Sequence, residues 1–294
     1  MNEISIGSSA MLVELSISSW TARKLDKKVS AEVDVAKNTK VSAVNVNKNL
    51  MAGTGVLDKI IKYAASARAW HLSQTLPWSD NGSRLLPMSN FMKYIEQLTV
   101  MEDNFNALVD KFVDSYPELI SAAAFQLGDL FDRNEYPDVN SLKNRFKFSY
   151  SFFPVPSAGD FRVDINEEAK AEIIANCNKA HQDRLENAMH DAWDRLKDCL
   201  TRMSDHLTVD VVTDEDGNPS HEFRVFRDSL MENAQEMVDM LQHLNITKNP
   251  DMEKARLALK SAISNHDLDD LRSSMTARNA VKTQVDAILS KFNF

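Results

Sequence analysis

The sequence predicts a mainly α protein: an elongated helical bundle built on one very long helix, about 166–206, with a small antiparallel β element. Three observations carry that expectation. Only seven glycines and eight prolines punctuate 294 residues, and scarce breakers favour long helices over a turn-rich sandwich. None of them falls between 166 and 206, where Cys177, Ala180, Leu185, Ala188, Met189, Ala192, Trp193, Leu196, Leu200 and Met203 keep helical spacing. Two stretches, "MLVELSIS" at 11–18 and "FKFSYSFF" at 146–153, alternate apolar and polar side chains, the period of a half-buried strand.

In chain order, the strand at 11–18 puts Val13, Leu15 and Ile17 on one face and Glu14, Ser16 and Ser18 on the other. "WTARKLDKKVSAEV" follows as a short irregular or helical piece with Trp20, Leu25 and Val29 inward, and residues 35–55 show no period and read as loop. A helix over about 54–74 carries the stripe Leu57, Ile60, Ile61, Ala64, Ala65. "TLPWSDNGSRLLP" (75–87) breaks it through Pro77, Gly82 and Pro87. Ser89 then suits the N-cap of a helix with the stripe Phe91, Met92, Ile95, Leu98, Met101, Phe105, Leu108, Val109, Phe112. Pro117 suits the first turn of a separate helix reaching about Phe131.

The aromatic stretch at 146–163 is the junction of the fold. Alternation places Phe146, Phe148, Tyr150 and Phe152 on one strand face, a face that is buried against helices in most sheets of this kind. Pro154 and Pro156 stop the strand because neither can donate to a ladder. Gly159 permits a turn, Asp160 and Arg162 supply hydrogen bonds to anchor it, and Trp20 belongs to the same junction. Beyond it, Asn166 suits the N-cap of the long helix. "DVVTDEDGNPSHEFRVF" reads as a hairpin about Asp216-Gly217 within 208–226. Further helices finish the chain, the last lined by Leu268, Leu271, Met275, Val281, Val285, Ile288 and Leu289. The organisation is an N-terminal strand and basic segment (1–55), a helical region ending in the aromatic strand (56–165), and the long helix, hairpin and C-terminal helices (166–294), in one continuous fold.

Charge narrows the partners. The chain carries a net −9, yet residues 21–50 hold Arg23, Lys24, Lys27, Lys28, Lys37, Lys40 and Lys48 against Asp26, Glu32 and Asp34. That is +4 for the segment and, with Glu3 and Glu14 before it, −11 for residues 51–294. An acidic whole is not a general nucleic-acid coat. The basic segment, with Arg23, Lys24, Lys27 and Lys28 at its head, suits either phosphates or the acidic surface of a neighbouring copy. No run approaches the roughly 18 apolar residues of a membrane span, and the first residues lack a basic-then-apolar leader, so the expected location is the cytoplasm. Cys177 and Cys199 lie 22 positions apart on one helix, roughly 33 Å, which excludes an intrachain bridge.

Catalytic signatures are missing. Gly53 and Gly55 lack P-loop spacing, and aligning "DEDGN" on a calcium loop puts Val212 and Phe223 at the first and twelfth ligand positions. Glu186, His190 and Asp194 share a helix face, but the spacing departs from Glu-x-x-His and no second motif joins it. Neither cysteine has a CxxC partner, and no GxSxG elbow occurs. No cofactor, metal or reaction is expected.

Four strings, "SSWTARKLDKKVSAEV", "TLPWSDNGSRLLP", "FPVPSAGDFRV" and "FRDSLMENAQEMVDMLQHLNI", together resemble an uncharacterised family of bacteriophage and mobile-element proteins, the DUF3150-like domain of unknown function. The resemblance runs over nearly the whole chain and brings no catalytic residue. It implies a phage gene expressed in a bacterial host cytoplasm, often beside MoxR-like AAA+ ATPases, von Willebrand A-type proteins and recombination genes. The expected role is that of a non-enzymatic phage protein acting through self-association into a higher oligomer. The alternatives are an accessory DNA-binding protein and an adaptor of a phage-encoded AAA+ ATPase.

Overall fold

The computed structural model describes residues 6–80, 82–156, 167–213, 219–264 and 268–292. In chain order these form α1 (Ile6–Ser9), β1 (Ala10–Ser18), β2 (Arg23–Leu25), α2 (Lys27–Ala36), β3 (Asn47–Asn49) and α3 (Val56–Gln74). There follow β4 (Leu76–Pro77), β5 (Arg84–Pro87), α4 (Phe91–Leu127), α5 (Val139–Lys143), β6 (Lys147–Phe153) and α6 (Glu167–Leu207). The chain continues with β7 (Val209–Thr213), β8 (Pro219–Phe223), α7 (Asp228–Leu244), α8 (Pro250–Ser264), α9 (Leu268–Ser273) and α10 (Met275–Lys291). The protein is mainly α, as expected. Contacts group it into two interleaved units: residues 1–14, 73–92 and 152–294 in the first, 15–72 and 93–151 in the second.

Four strands make one sheet in the order β4–β5–β1–β6. β1 runs antiparallel to β5 with Leu12 opposite Leu85, and β5 runs antiparallel to β4. The pair β4–β5 comes from "TLPWSDNGSRLLP", which the sequence marks only as a break. Its prolines, Pro77 and Pro87, each end their strand, where a missing N–H is least costly to a ladder. Gly82 turns the chain at a φ of +97°, a conformation glycine adopts without a Cβ clash. The hairpin near 208–226 forms, with Val209 opposite Phe223 and Thr213 opposite Pro219. It stands as its own two-stranded sheet rather than joining β1 and β6. Its expected turn at Asp216-Gly217 lies outside the described residues.

The second unit is organised by α3 and α4. On α3 the buried seam is Leu57, Ile60, Ala64, Ala67 and His71, while Ile61 and Ala65 face outward. The expected wide stripe narrows to one buried seam at 3–4 spacing. α4 is one helix of 37 residues with Pro117 inside it, not two helices meeting there. An interior proline costs about 3 kcal/mol. Phe112 and Tyr116 before it and Ile120 and Ala123 after it are all buried, and burying four such side chains outweighs that cost. Ser89 does not cap α4: it lies in a 3-10 turn, Met88–Asn90, with its Oγ 3.0 Å from His243 Nδ1. Met92, expected in the stripe of α4, is left in solvent, 72 % exposed.

The first unit packs α7, α8 and α10 around the second half of α6. Ala188, Ala192, Leu196, Leu200 and Met203 meet Val238, Leu241, Leu259, Val281 and Val285 in one apolar cluster that also takes in Leu76 and Leu85. Among the described residues of α6, no side chain from 168 to 187 is buried, and Ala180, expected in the stripe, is exposed. About half of this helix, which is about 60 Å long at 1.5 Å per residue, is therefore engaged by the core. The last expected helix is two: Ser274 caps α10 through Ala277 N–H, separating it from α9, and Met275 is exposed.

Candidate functional site

The basic segment is better structured than its composition suggests. Arg23–Leu25 pairs antiparallel with Asn47–Asn49, and Asp26 caps α2 by accepting from the Lys28 and Val29 amides, both at 3.1 Å. Ser30 is buried inside the turn, its Oγ donating to Asp26 O at 2.6 Å and accepting from Val46 N–H at 2.9 Å. Contrary to the sequence reading, Leu25 faces solvent, at 40 % exposed, because β2 is a free-standing ribbon rather than an inward helix.

Its cations divide into two kinds. Lys48 Nζ lies 2.7 Å from Glu135, 3.5 Å from Asp26 and 2.9 Å from the Leu130 carbonyl. Its bond with Glu135 raises its pKa above the ordinary lysine value. The Val29 amide, aided by Lys48, holds the Asp26 carboxyl below its own. Lys48 is thus a structural pin. Arg23, Lys24, Lys27 and Lys28 are exposed and make no ion pair among the described residues. Beside them a hollow of about 560 Å³ opens between α2 and the following loop, with Val35 and Val41, 76 % and 72 % exposed, on its wall and Lys27 and Lys40 on its rim. Asp34 also lines it, but its carboxylate is turned to Thr39 Oγ1 at 2.9 Å and the Ala43 amide at 3.3 Å.

The aromatic junction places Trp20 against Phe112 and Tyr116, with ring centroids 6.3 and 6.0 Å apart. Phe148 meets Phe105 at 5.7 Å, and Phe146 meets Phe112 at 5.7 Å from a position just before β6. Burial pushes the Tyr116 pKa up to about 12, and its hydroxyl donates to Pro137 O at 3.1 Å. Tyr150 is half-buried. Pro154 and Pro156 are exposed just past the strand end at Phe153. Gly159, Asp160 and Arg162, like the expected cap Asn166, lie outside the described residues.

Two clusters look chemical and resolve otherwise. His190 Nε2 sits 3.5 Å from Asp194 with both side chains more than half exposed, and Gln182 donates to Glu186 at 2.9 Å. Among the described residues no three metal-binding side chains converge. Ser204, Lys282 and Asp286, which the sequence did not single out, form a closed triangle: Lys282 Nζ to Ser204 Oγ at 2.7 Å, Lys282 Nζ to Asp286 at 2.8 Å, and Ser204 Oγ to Asp286 at 2.5 Å. Lys282 donates to both partners, and the triangle latches α6 to α10. Burial alone would raise the Asp286 pKa, but the bonds from Lys282 and Ser204 outweigh it and hold it below 3.8. A depressed carboxylate stabilises the fold above its unfolded pKa, and the contribution is lost as pH falls through the folded value. Asp286→Asn is therefore expected to cost about 1 kcal/mol at neutral pH and progressively less below about pH 4, read from thermal midpoints of both proteins across that range. A gap that persists in acid would contradict the latch.

Three further residues were not found from sequence. His71 Nδ1 lies 2.6 Å from Tyr94 Oη, both buried. Arg195 spans the Ser73 and Thr75 carbonyls, each at 2.9 Å. Arg278 is buried among backbone carbonyls. Cys177 and Cys199 are free, and burial pushes the Cys199 thiol up to about 11, away from reactivity. No helix among the described residues is long and apolar enough to cross a membrane. No family model, curated protein or solved structure matches the chain.

Proposed function

We propose that this chain is a non-enzymatic bacteriophage protein that acts by self-association into a higher oligomer in the host cytoplasm. One observation supports this above the rest: Arg23, Lys24, Lys27 and Lys28 stand exposed beside Val35 and Val41 on a chain whose remainder is strongly acidic. Charge of one sign mixed with uncovered apolar surface favours a protein partner, and the chain's own acidic surface is the complementary one. The first turns of α6, where Ile173, Ile174 and Cys177 lie along one side and none is buried, add a second surface for the same purpose.

Nucleic acid is the competing partner, favoured by the unpaired cations alone. Single-strand binders stack bases on aromatic side chains, and residues 21–50 contain none. Multi-angle light scattering on the purified chain is the test, with particle images to show the form. Masses that are multiples of the monomer support assembly, while a monomer throughout the micromolar range ends this reading. A low-salt gel shift on single- and double-stranded DNA separates the alternative.

A further inference from the structure

Phe125, on the last turns of α4, is 92 % exposed, more than any other large apolar side chain among the described residues. It does not stand alone. Leu130, 42 % exposed, follows it within the 3-10 turn Gly128–Leu130, and Asp129 and Asp132 beside it are exposed. The cation in that stretch, Arg133, is exposed and donates to the Tyr136 carbonyl at 3.3 Å, so the two aspartates outnumber it. Here an acidic, aromatic knob projects from the same unit that carries the basic, apolar hollow between α2 and its loop. The two surfaces are complementary in both respects: an unburied ring against unburied valines, and carboxylates against Lys27 and Lys40.

We infer that these are the two halves of one contact between copies of this chain: Phe125 of one copy enters the Val35–Val41 hollow of the next, with Asp129 against Lys27. The occupant of the hollow is a second copy, and the inference rests on the self-association reading while assigning its surfaces. An aromatic anchor in an apolar hollow, ringed by opposite charge, is the usual composition of a dominant interface residue. Because knob and hollow are different surfaces, a pair joined by one such contact leaves a hollow free on one copy and a knob free on the other, so the contact is heterologous and propagates.

Sedimentation velocity of the full chain tests this. Wild type is expected to form species larger than a pair, growing with concentration. Phe125→Ser and, on the other side, Val35→Asp are each expected to weaken association by roughly 10-fold or more, with thermal midpoint and far-UV spectrum unchanged because both side chains are exposed. Lys27→Glu is expected to weaken it too, and Lys27→Glu with Asp129→Lys to restore it. If wild type assembles and Phe125→Ser assembles equally well, this contact is wrong and self-association stands on other surfaces. If wild type stops at a pair, the propagating contact is wrong, and a double swap no tighter than Lys27→Glu alone removes the charge pairing. A monomeric wild type removes both the contact and the reading it rests on.

Discussion

Arg278→Met is expected to destabilise the protein by about 3 kcal/mol or more, a loss of the size usually seen for emptied core positions. The arginine is 1 % exposed. Its Nε donates to Leu271 O at 2.6 Å, and its Nη1 donates to Arg224 O at 3.0 Å and His206 O at 3.2 Å. Among the described residues no carboxylate pairs with it. Leu271 and His206 sit in the last turns of α9 and α6, where helix dipoles concentrate negative charge. The rings of Phe223 and Phe226 lie 4.9 and 5.8 Å from the guanidinium carbon, close enough for cation–π attraction. Burial lowers the arginine's pKa, but a guanidinium remains charged in proteins.

Methionine would fill much of the volume and leave those carbonyls without a donor, at about 1–3 kcal/mol for each one left dry. Arg278→Lys keeps the charge but offers a single nitrogen in place of the planar fork, and is expected to recover less than half of the loss. Urea unfolding read at an unchanged slope measures both. A cost under about 1 kcal/mol for Arg278→Met would place the residue among ordinary surface positions and refute its role as the tie between these helix ends.

Arg278 also shows what the sequence discloses and what it hides. It falls between Leu271 and Val281 at helical spacing, yet its charge marks it for the surface, so its burial was not read. Its partners were no more legible: they belong to turns 7, 54 and 72 residues away. The long α6 and the strands β1 and β6 were legible because periodicity is local. Hairpin β4–β5 was not, since two strands of two and four residues are too short to show a period and their prolines signal a break. Pro117 misleads for the opposite reason. Proline's local preference is real, and only the packing on both sides of it, invisible in the chain, overrides it. Of the candidate surface, the charge imbalance of residues 21–50 was legible. That Lys48 is consumed as an internal pin depends on Glu135, 87 positions on, and that Phe125 lies outside the core depends on which face of α4 is covered.

Phe148→Ala is expected to cost about 3–5 kcal/mol, and Tyr150→Ala no more than about 1–2 kcal/mol, although alternation sets both on one face of β6. Phe148 is 6 % exposed and packs its ring on Phe105. The layer continues beyond it, where Phe146 meets Phe112 edge-on and Phe112 meets Trp20. Removing Phe148 opens a cavity in a layer of rings held by helix α4, which cannot collapse into the gap without shifting the whole stripe. Tyr150 lies further along the strand and is half-buried, so truncation there leaves a space that water can enter. The same strand is tied to β1 by the Ser149 hydroxyl on Ser16 O at 3.3 Å, a bond that neither substitution touches. Phe148→Leu, keeping an apolar side chain without the ring, is expected to recover part of the loss. Calorimetric midpoints of the three variants decide between a buried strand and an exposed aromatic surface for binding a ligand. A graded loss, alanine at 148 worst and at 150 mildest, is the signature of the former. Unchanged midpoints for both alanine variants would return the aromatic face to solvent, and with it a binding role for β6.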